Sequence, residues 1–141
     1  MKIFIDEIGW WAISDKNHPL HREMQEQFQY YLDGGHSFYT TNVIVGSVIS
    51  RLKSSIGSKK AIRFAEIIDE AWLGTHLHFL WIGRRTQRDA IKLFKKFPDY
   101  ELSLFDYANI VLMNRRNIRF IITTNSAYNK LGFKIVPENQ E

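Results

Sequence analysis

Three side chains stand at positions where layered α/β proteins do chemistry. Asp6 ends the strand-like run "KIFI", Asp106 opens the apolar run "YANIVLM", and Asn125 follows the strand-like "RFIITT". Sites in open parallel sheets gather at the carboxyl ends of strands, and Asp6 and Asn125 occupy two such ends. Each residue also has a purely structural use. Asp106 lies three positions after Ser103, the spacing of a helix capping box. Asn125 precedes "SAYNKLG", and Asn caps a helix as well as Asp does. An acid at the end of a strand, as Asp6 is, can be satisfied by solvent alone. Glu7 follows directly, but neighbours in an extended chain point apart, so it is expected at the surface.

The histidines offer a weaker signal. His18 and His21 are three apart, and His76 and His78 alternate along a strand-like run. Structural zinc normally takes four convergent ligands, and the chain has no cysteine to supply any, so no dedicated zinc site is expected. Neither a glycine-rich phosphate loop nor a G-x-S-x-G nucleophile motif is present.

The elements that must position these residues alternate between two periods. Strands are predicted at Lys2–Ile5, Ser37–Thr40, His76–Ile82, Arg119–Thr123 and Phe133–Val136. Helices are predicted over Leu20–Leu32, from an Asn42 N-cap to Gly57, and over Ser58–Ala71. The stripe Ile62, Ala65, Ile68 and Trp72 marks the inward face of that third helix. A further helix follows from a Thr86/Asp89 capping box, with an Ala90–Leu93–Phe94–Phe97 stripe, and another from Ser103/Asp106. A short helix closes at Gly132. Trp10 and Trp11 are read as extended, with one ring in the core and the other at a groove or dimer contact. Strands alternating with helices predict an α/β domain with a mainly parallel sheet.

Composition narrows the class. A length of 141 residues fits one domain spanning 1–141, and 45% hydrophobic residues can build a core. The absence of cysteine fits a reducing cytoplasm. No apolar run is long enough for a signal peptide or a membrane span. The net charge of +4 and the isoelectric point near 9.4 favour polyanionic partners. The cations fall in three clusters: Arg51 to Arg63, Arg84 to Lys96, and Arg115 to Arg119. The middle cluster has the density to follow a nucleic-acid backbone, without reading its sequence.

The segments "MKIFIDE", "FYTTNVIVGSVISRL" and "LSLFDYANIVLMNRRNIRFIITTNSAYNKLGFKIVP" together resemble the PIN domain, and within it the VapC-type toxins of prokaryotic toxin–antitoxin pairs. The resemblance covers nearly the full length. It implies a three-layer α/β/α fold with a mainly parallel sheet of four to five strands. It also implies a metal-dependent ribonuclease in which four acids hold Mg²⁺ or Mn²⁺, an antitoxin partner, and a homodimer. Two of those acids are matched by Asp6 and Asp106. Ser47 and Asn125 stand at the other two positions.

Mg²⁺ takes oxygen ligands, and serine and asparagine offer only neutral ones. Four carboxylates suit two cations, whereas two suit one. The expectation is therefore a depleted ribonuclease site. In it Asp6 and Asp106 are catalytic and metal-binding, with Asn125 and Ser47 as weak ligands. The alternative is a module that keeps the fold and binds RNA or protein without hydrolysis. A double change, Ser47→Glu with Asn125→Asp, is expected to strengthen cation binding if the site geometry is intact.

Overall fold

Ile3, Phe4 and Ile5 of β1 (Lys2–Ile5) are all fully buried. Successive strand residues face opposite ways, so both faces of this strand are covered. That requires helices on either side of a sheet, and the computed structural model, which describes residues 1–137, shows this arrangement. After β1 come α1 (Glu7–Ser14), α2 (His21–Asp33) and β2 (Ser37–Thr41). Next are α3 (Asn42–Ile56), α4 (Ser58–Trp72), β3 (Leu77–Leu80), α5 (Arg84–Lys96) and α6 (Leu104–Arg115). β4 (Phe120–Ile122), a 3₁₀ turn (Ser126–Leu131) and β5 (Lys134–Val136) complete the described chain.

The five strands pair in the order β3-β2-β1-β4-β5, and every pairing is parallel. The chain leaves β1 toward β2 on one side and later returns to β1's other edge with β4. The β1/β4 boundary is thus the switch point, where the segments leaving the two strand ends diverge and open a crevice. The strand expectations hold to within a residue or two, as does α2.

Four local expectations are corrected. The segment after Asp6 is the helix α1, not extended chain. Trp10 and Trp11 still part, because a helix turns about 100° per residue. Trp10 is buried against Phe28 and Phe64, with Nε1 donating to Thr40 Oγ1 at 3.1 Å. Trp11 packs edge-on to His18 and donates to Asp15. The cap of α3 is Thr41, whose hydroxyl accepts from Ile44 N at 3.0 Å. Asn42 instead accepts from Ile82 N at 2.7 Å and ties the ends of β2 and β3 together.

On α4 the buried face is Ala61, Phe64 and Ile68, while Ile62 and Trp72 are more than half exposed. Ile68 is common to the predicted and the true stripe, whereas Ala61 and Phe64 each precede by one residue the predicted Ile62 and Ala65, because the exposed Ile62, Ile67 and Trp72 blur an otherwise amphipathic pattern. Finally, α5 starts at Arg84 after Gly83, and Thr86 and Asp89 form no capping box. Both are engaged by Arg115 of α6, with Nη1 at 2.9 Å from Thr86 Oγ1 and Nη2 paired with the Asp89 carboxylate. A tertiary contact has taken the polar atoms that a local cap would have used.

Candidate active site

Asp6 is built into the switch point from three directions. It is the N-cap of α1, and its Oδ1 accepts from Gly9 N at 2.9 Å. Its Oδ2 accepts a hydrogen bond from the hydroxyl of Thr123, just past β4. Its own N–H donates to Ile122 O at 3.4 Å. The first turn of α1 lies so close to β4 that a Cβ on Gly9 would stand 2.6 Å from Ile122 O. Only glycine permits that approach.

Asp6 is 4% exposed. Burial pushes its pKa up from the usual carboxylate range to about 7, against the lowering effect of the Thr123 and Gly9 hydrogen bonds. The negative charges of Asp106 and Glu7 act in the same direction as burial.

Asp106 begins α6 in the expected capping box. Ser103 N donates to its Oδ2 at 2.9 Å, and its own N–H donates to Ser103 Oγ at 3.2 Å. Its other oxygen is not idle. Oδ1 accepts from the phenol of buried Tyr128 at 2.6 Å, and Tyr128 in turn accepts from Asn109 Nδ2 at 3.2 Å. Burial and the neighbouring Asp106 and Asp6 hold the Tyr128 phenol well above its ordinary pKa, so it remains a donor.

Asn109 sits one turn beyond Asp106 on α6 and is 3% exposed. Its Oδ1 has no hydrogen-bond partner among the described residues. Leaving such an acceptor unmet costs about 1–3 kcal/mol.

Asp6, Asp106 and Asn109 line one cavity of about 340 Å³. Ser47 of α3 and the pair Glu7 and Arg51 line it too. Glu7 is therefore on the cavity wall rather than at an unrelated surface. Its Oε1 accepts a hydrogen bond from Arg51 Nε at 2.8 Å and forms an ion pair with Nη2 at 2.7 Å, while the guanidinium lies 4.5 Å from the centre of the Trp11 ring. Among the described residues, no three His, Asp or Glu side chains gather as a metal cluster.

Asn125 is not among the lining residues. Its Oδ1 accepts from Ala127 N at 3.0 Å, the expected cap, and its Nδ2 donates to Glu101 O at 3.0 Å. The second bond needs a donor, which a carboxylate lacks. Asn125 reaches Asp6 only through Thr123, whose Oγ1 accepts from Asn125 N at 3.1 Å.

Sequence reasoning missed Asn109, Tyr128 and Thr123 as parts of this site. Asn109 left a readable trace, as a lone polar residue inside "YANIVLM". Tyr128 and Thr123 left none, since both are ordinary in a short helix and a strand end. The His76/His78 pair does not join the site; His78 stacks on Tyr39 with ring centres 4.7 Å apart.

Two other concavities differ in character. The larger holds about 660 Å³ between α1 to α4 and the β2/β3 side of the sheet; apolar residues such as Phe28, Phe38 and Phe64 line it, with no carboxylate. Another runs beside α5, lined by Arg84, Arg88, Lys92 and Lys95.

The donor set is of the oxygen type that a hard divalent cation takes. Asp6 and Asp106 bring carboxylate oxygens, and Asn109 brings an unmet carbonyl. The Glu7–Arg51 pair cancels its own charge. Two carboxylates remain, and one divalent ion would balance them.

No family model matches the chain, and no curated protein matches it. Among solved structures the fold is similar to that of Mycobacterium tuberculosis VapC20, described as a sarcin–ricin loop cleaving toxin. The TM-score is 0.78 at 17% sequence identity, covering 94% of this chain and 96% of that one. The chain therefore has a VapC-like PIN fold, as the sequence resemblance implied.

Proposed function

We propose that this protein is a VapC-like endoribonuclease that hydrolyses RNA phosphodiester bonds with one Mg²⁺ or Mn²⁺ held by Asp6 and Asp106. One observation carries the reading: two carboxylates from distant parts of the chain face one open cavity at the switch point of a VapC-like fold. The bound ion would supply an acidified water and offset charge on the attacked phosphate. Asp6 would hold it from the end of β1, itself fixed by Thr123 and Gly9. Asp106 would hold it from the start of α6, itself fixed by Ser103 and Tyr128. Ser47 and Asn125 add no charge. Arg51, on the same wall, offers a guanidinium to an RNA phosphate. The basic side of α5 gives the rest of the polyanion a non-specific track.

The apolar groove, bordered by Lys60 and Arg63, suits an amphipathic antitoxin helix with acids along its edge. Such an assembly, together with a homodimer, would act in the cytoplasm. No helix among the described residues is long and apolar enough to cross a membrane.

The test is RNA cleavage by purified protein with Mn²⁺ or Mg²⁺, repeated with Asp6→Ala and Asp106→Asn. The wild type should cut and both variants should not; equal cleavage by all three defeats the proposal. The second reading is a non-hydrolytic RNA- or protein-binding module. It is favoured by the neutral Ser47 on the cavity wall and the self-cancelling Glu7–Arg51 pair. Isothermal titration separates the two: no heat with millimolar Mn²⁺ or Mg²⁺ selects the module.

A further inference from the structure

We infer that Asn109 is the third protein ligand of the cation, its Oδ1 standing in for the missing carboxylates beside Asp6 and Asp106. The inference rests on the metal-dependent reading above. It is carried by one unmet atom. Asn109 lines the cavity that both acids line, is almost wholly buried, and leaves Oδ1 without a hydrogen bond among the described residues.

Which end of the amide faces which way is set by its neighbours. Tyr128 has a single hydroxyl proton, and it goes to Asp106 Oδ1. Tyr128 can therefore only accept from Asn109, so Nδ2 and not Oδ1 must lie on that side. The relay Asn109 to Tyr128 to Asp106 thus fixes two oxygens at once, the Asp106 carboxylate and the Asn109 carbonyl. An amide carbonyl is an ordinary oxygen ligand for a hard cation and brings no further repulsion to a site already holding two acids. Packing alone does not call for it. Its chain neighbours Ala108 and Ile110 are apolar, and a leucine of the same branched shape would remove the unmet Oδ1, losing only the Nδ2 bond to Tyr128.

The test is Mn²⁺ titration, by calorimetry and by the metal-induced rise in melting temperature, on wild type, Asn109→Leu, Tyr128→Phe and Asn109→Asp. Asn109→Leu relieves the unmet Oδ1 but loses the bond to Tyr128, so it should melt close to wild type without metal, yet bind Mn²⁺ about tenfold or more weakly, a loss greater than that of Tyr128→Phe. Asn109→Asp, which keeps the oxygen and adds charge, should show a larger metal-induced rise than wild type. Unchanged affinity in Asn109→Leu overturns the inference and leaves the Asp6/Asp106 reading intact. Equal losses in Asn109→Leu and Tyr128→Phe also overturn it, because Asn109 would then act only by orienting Tyr128. If Asn109→Leu does not fold, an Asn109→Asp rise no larger than wild type's has the same force. Absence of Mn²⁺ binding by the wild type removes the underlying reading itself, and the inference with it.

Discussion

Thr123, just beyond β4, gives its hydroxyl proton to the carboxylate of Asp6 at the end of β1, joining positions 117 residues apart at the sheet's switch point. The bond holds Asp6 without supplying any positive charge, so in the metal-free protein a buried carboxylate stands among other acids.

Stability should follow from that. In the unfolded chain Asp6 titrates at the ordinary aspartate value of 3.8, and in the fold it is pushed up to about 7. Between those values the native state holds the extra proton, so metal-free stability falls as pH rises. The contribution is complete below 3.8 and lost by the time pH passes 7. Its upper bound is about 4 kcal/mol, at roughly 1.36 kcal/mol per pH unit. Asp6→Asn should keep the α1 cap and flatten this part of the profile, measured by urea unfolding between pH 4 and 8. Saturating Mn²⁺ should flatten it in the wild type, because the ion favours the ionised carboxylate. An Asp6→Asn profile as steep as the wild type's would contradict this origin.

Gly9→Ala should be among the most damaging small substitutions. The new methyl would meet the backbone carbonyl of Ile122 at 2.6 Å and Ile5 Cγ2 at 3.0 Å. The carbonyl is backbone held in the sheet and Ile5 is fully buried, so α1 must lift from β4 and carry the Asp6 cap with it. A loss of about 1–3 kcal/mol is expected from the urea midpoint, with weaker Mn²⁺ binding alongside.

The two neutral substitutions should separate when reversed singly. Ser47→Glu adds a carboxylate on the cavity wall and should tighten Mn²⁺ binding. Asn125→Asp places an acceptor where Nδ2 now donates to Glu101 O, an exposed bond, so it should lose about 0.5–1.5 kcal/mol of stability and gain little affinity. Titration and melting of each single variant check both statements. A tighter site in Asn125→Asp alone would show that the turn rearranges to bring residue 125 inward.

Arg51→Gln should affect the cation and RNA in opposite senses. It releases the Glu7 carboxylate on the cavity wall, which should tighten Mn²⁺ on the order of fivefold, the scale of a partly exposed ion pair. It also removes the guanidinium that would face phosphate, so RNA affinity measured without metal should fall. If Mn²⁺ affinity drops as well, Arg51 is needed to hold the wall in shape.

The sequence by itself determined the architecture and the two ends of the site. "KIFI" and "RFII" are short apolar runs, and such runs between helical periods form a buried parallel sheet whose loops carry the chemistry. The Ser103/Asp106 box and the Asn125 cap were equally legible, because each is a contact between residues two or three apart. The helix after Asp6 was not, since "EIGWWAIS" has neither a clear polar face nor a strong helix former at its centre; packing of Trp10 and the tight Gly9 contact decide it.

Tertiary structure alone decided which oxygens share the cavity. Tyr128 reaches Asp106 across 22 residues, Arg51 reaches Glu7 across 44, and Thr123 reaches Asp6 across 117. None of these pairs follows a local period, so no spacing in the chain announces them. The same holds for Asn125: capping was written in its neighbours, whereas its bond to Glu101, which an aspartate could not make, exists only once the turn before α6 is folded against the end of β4.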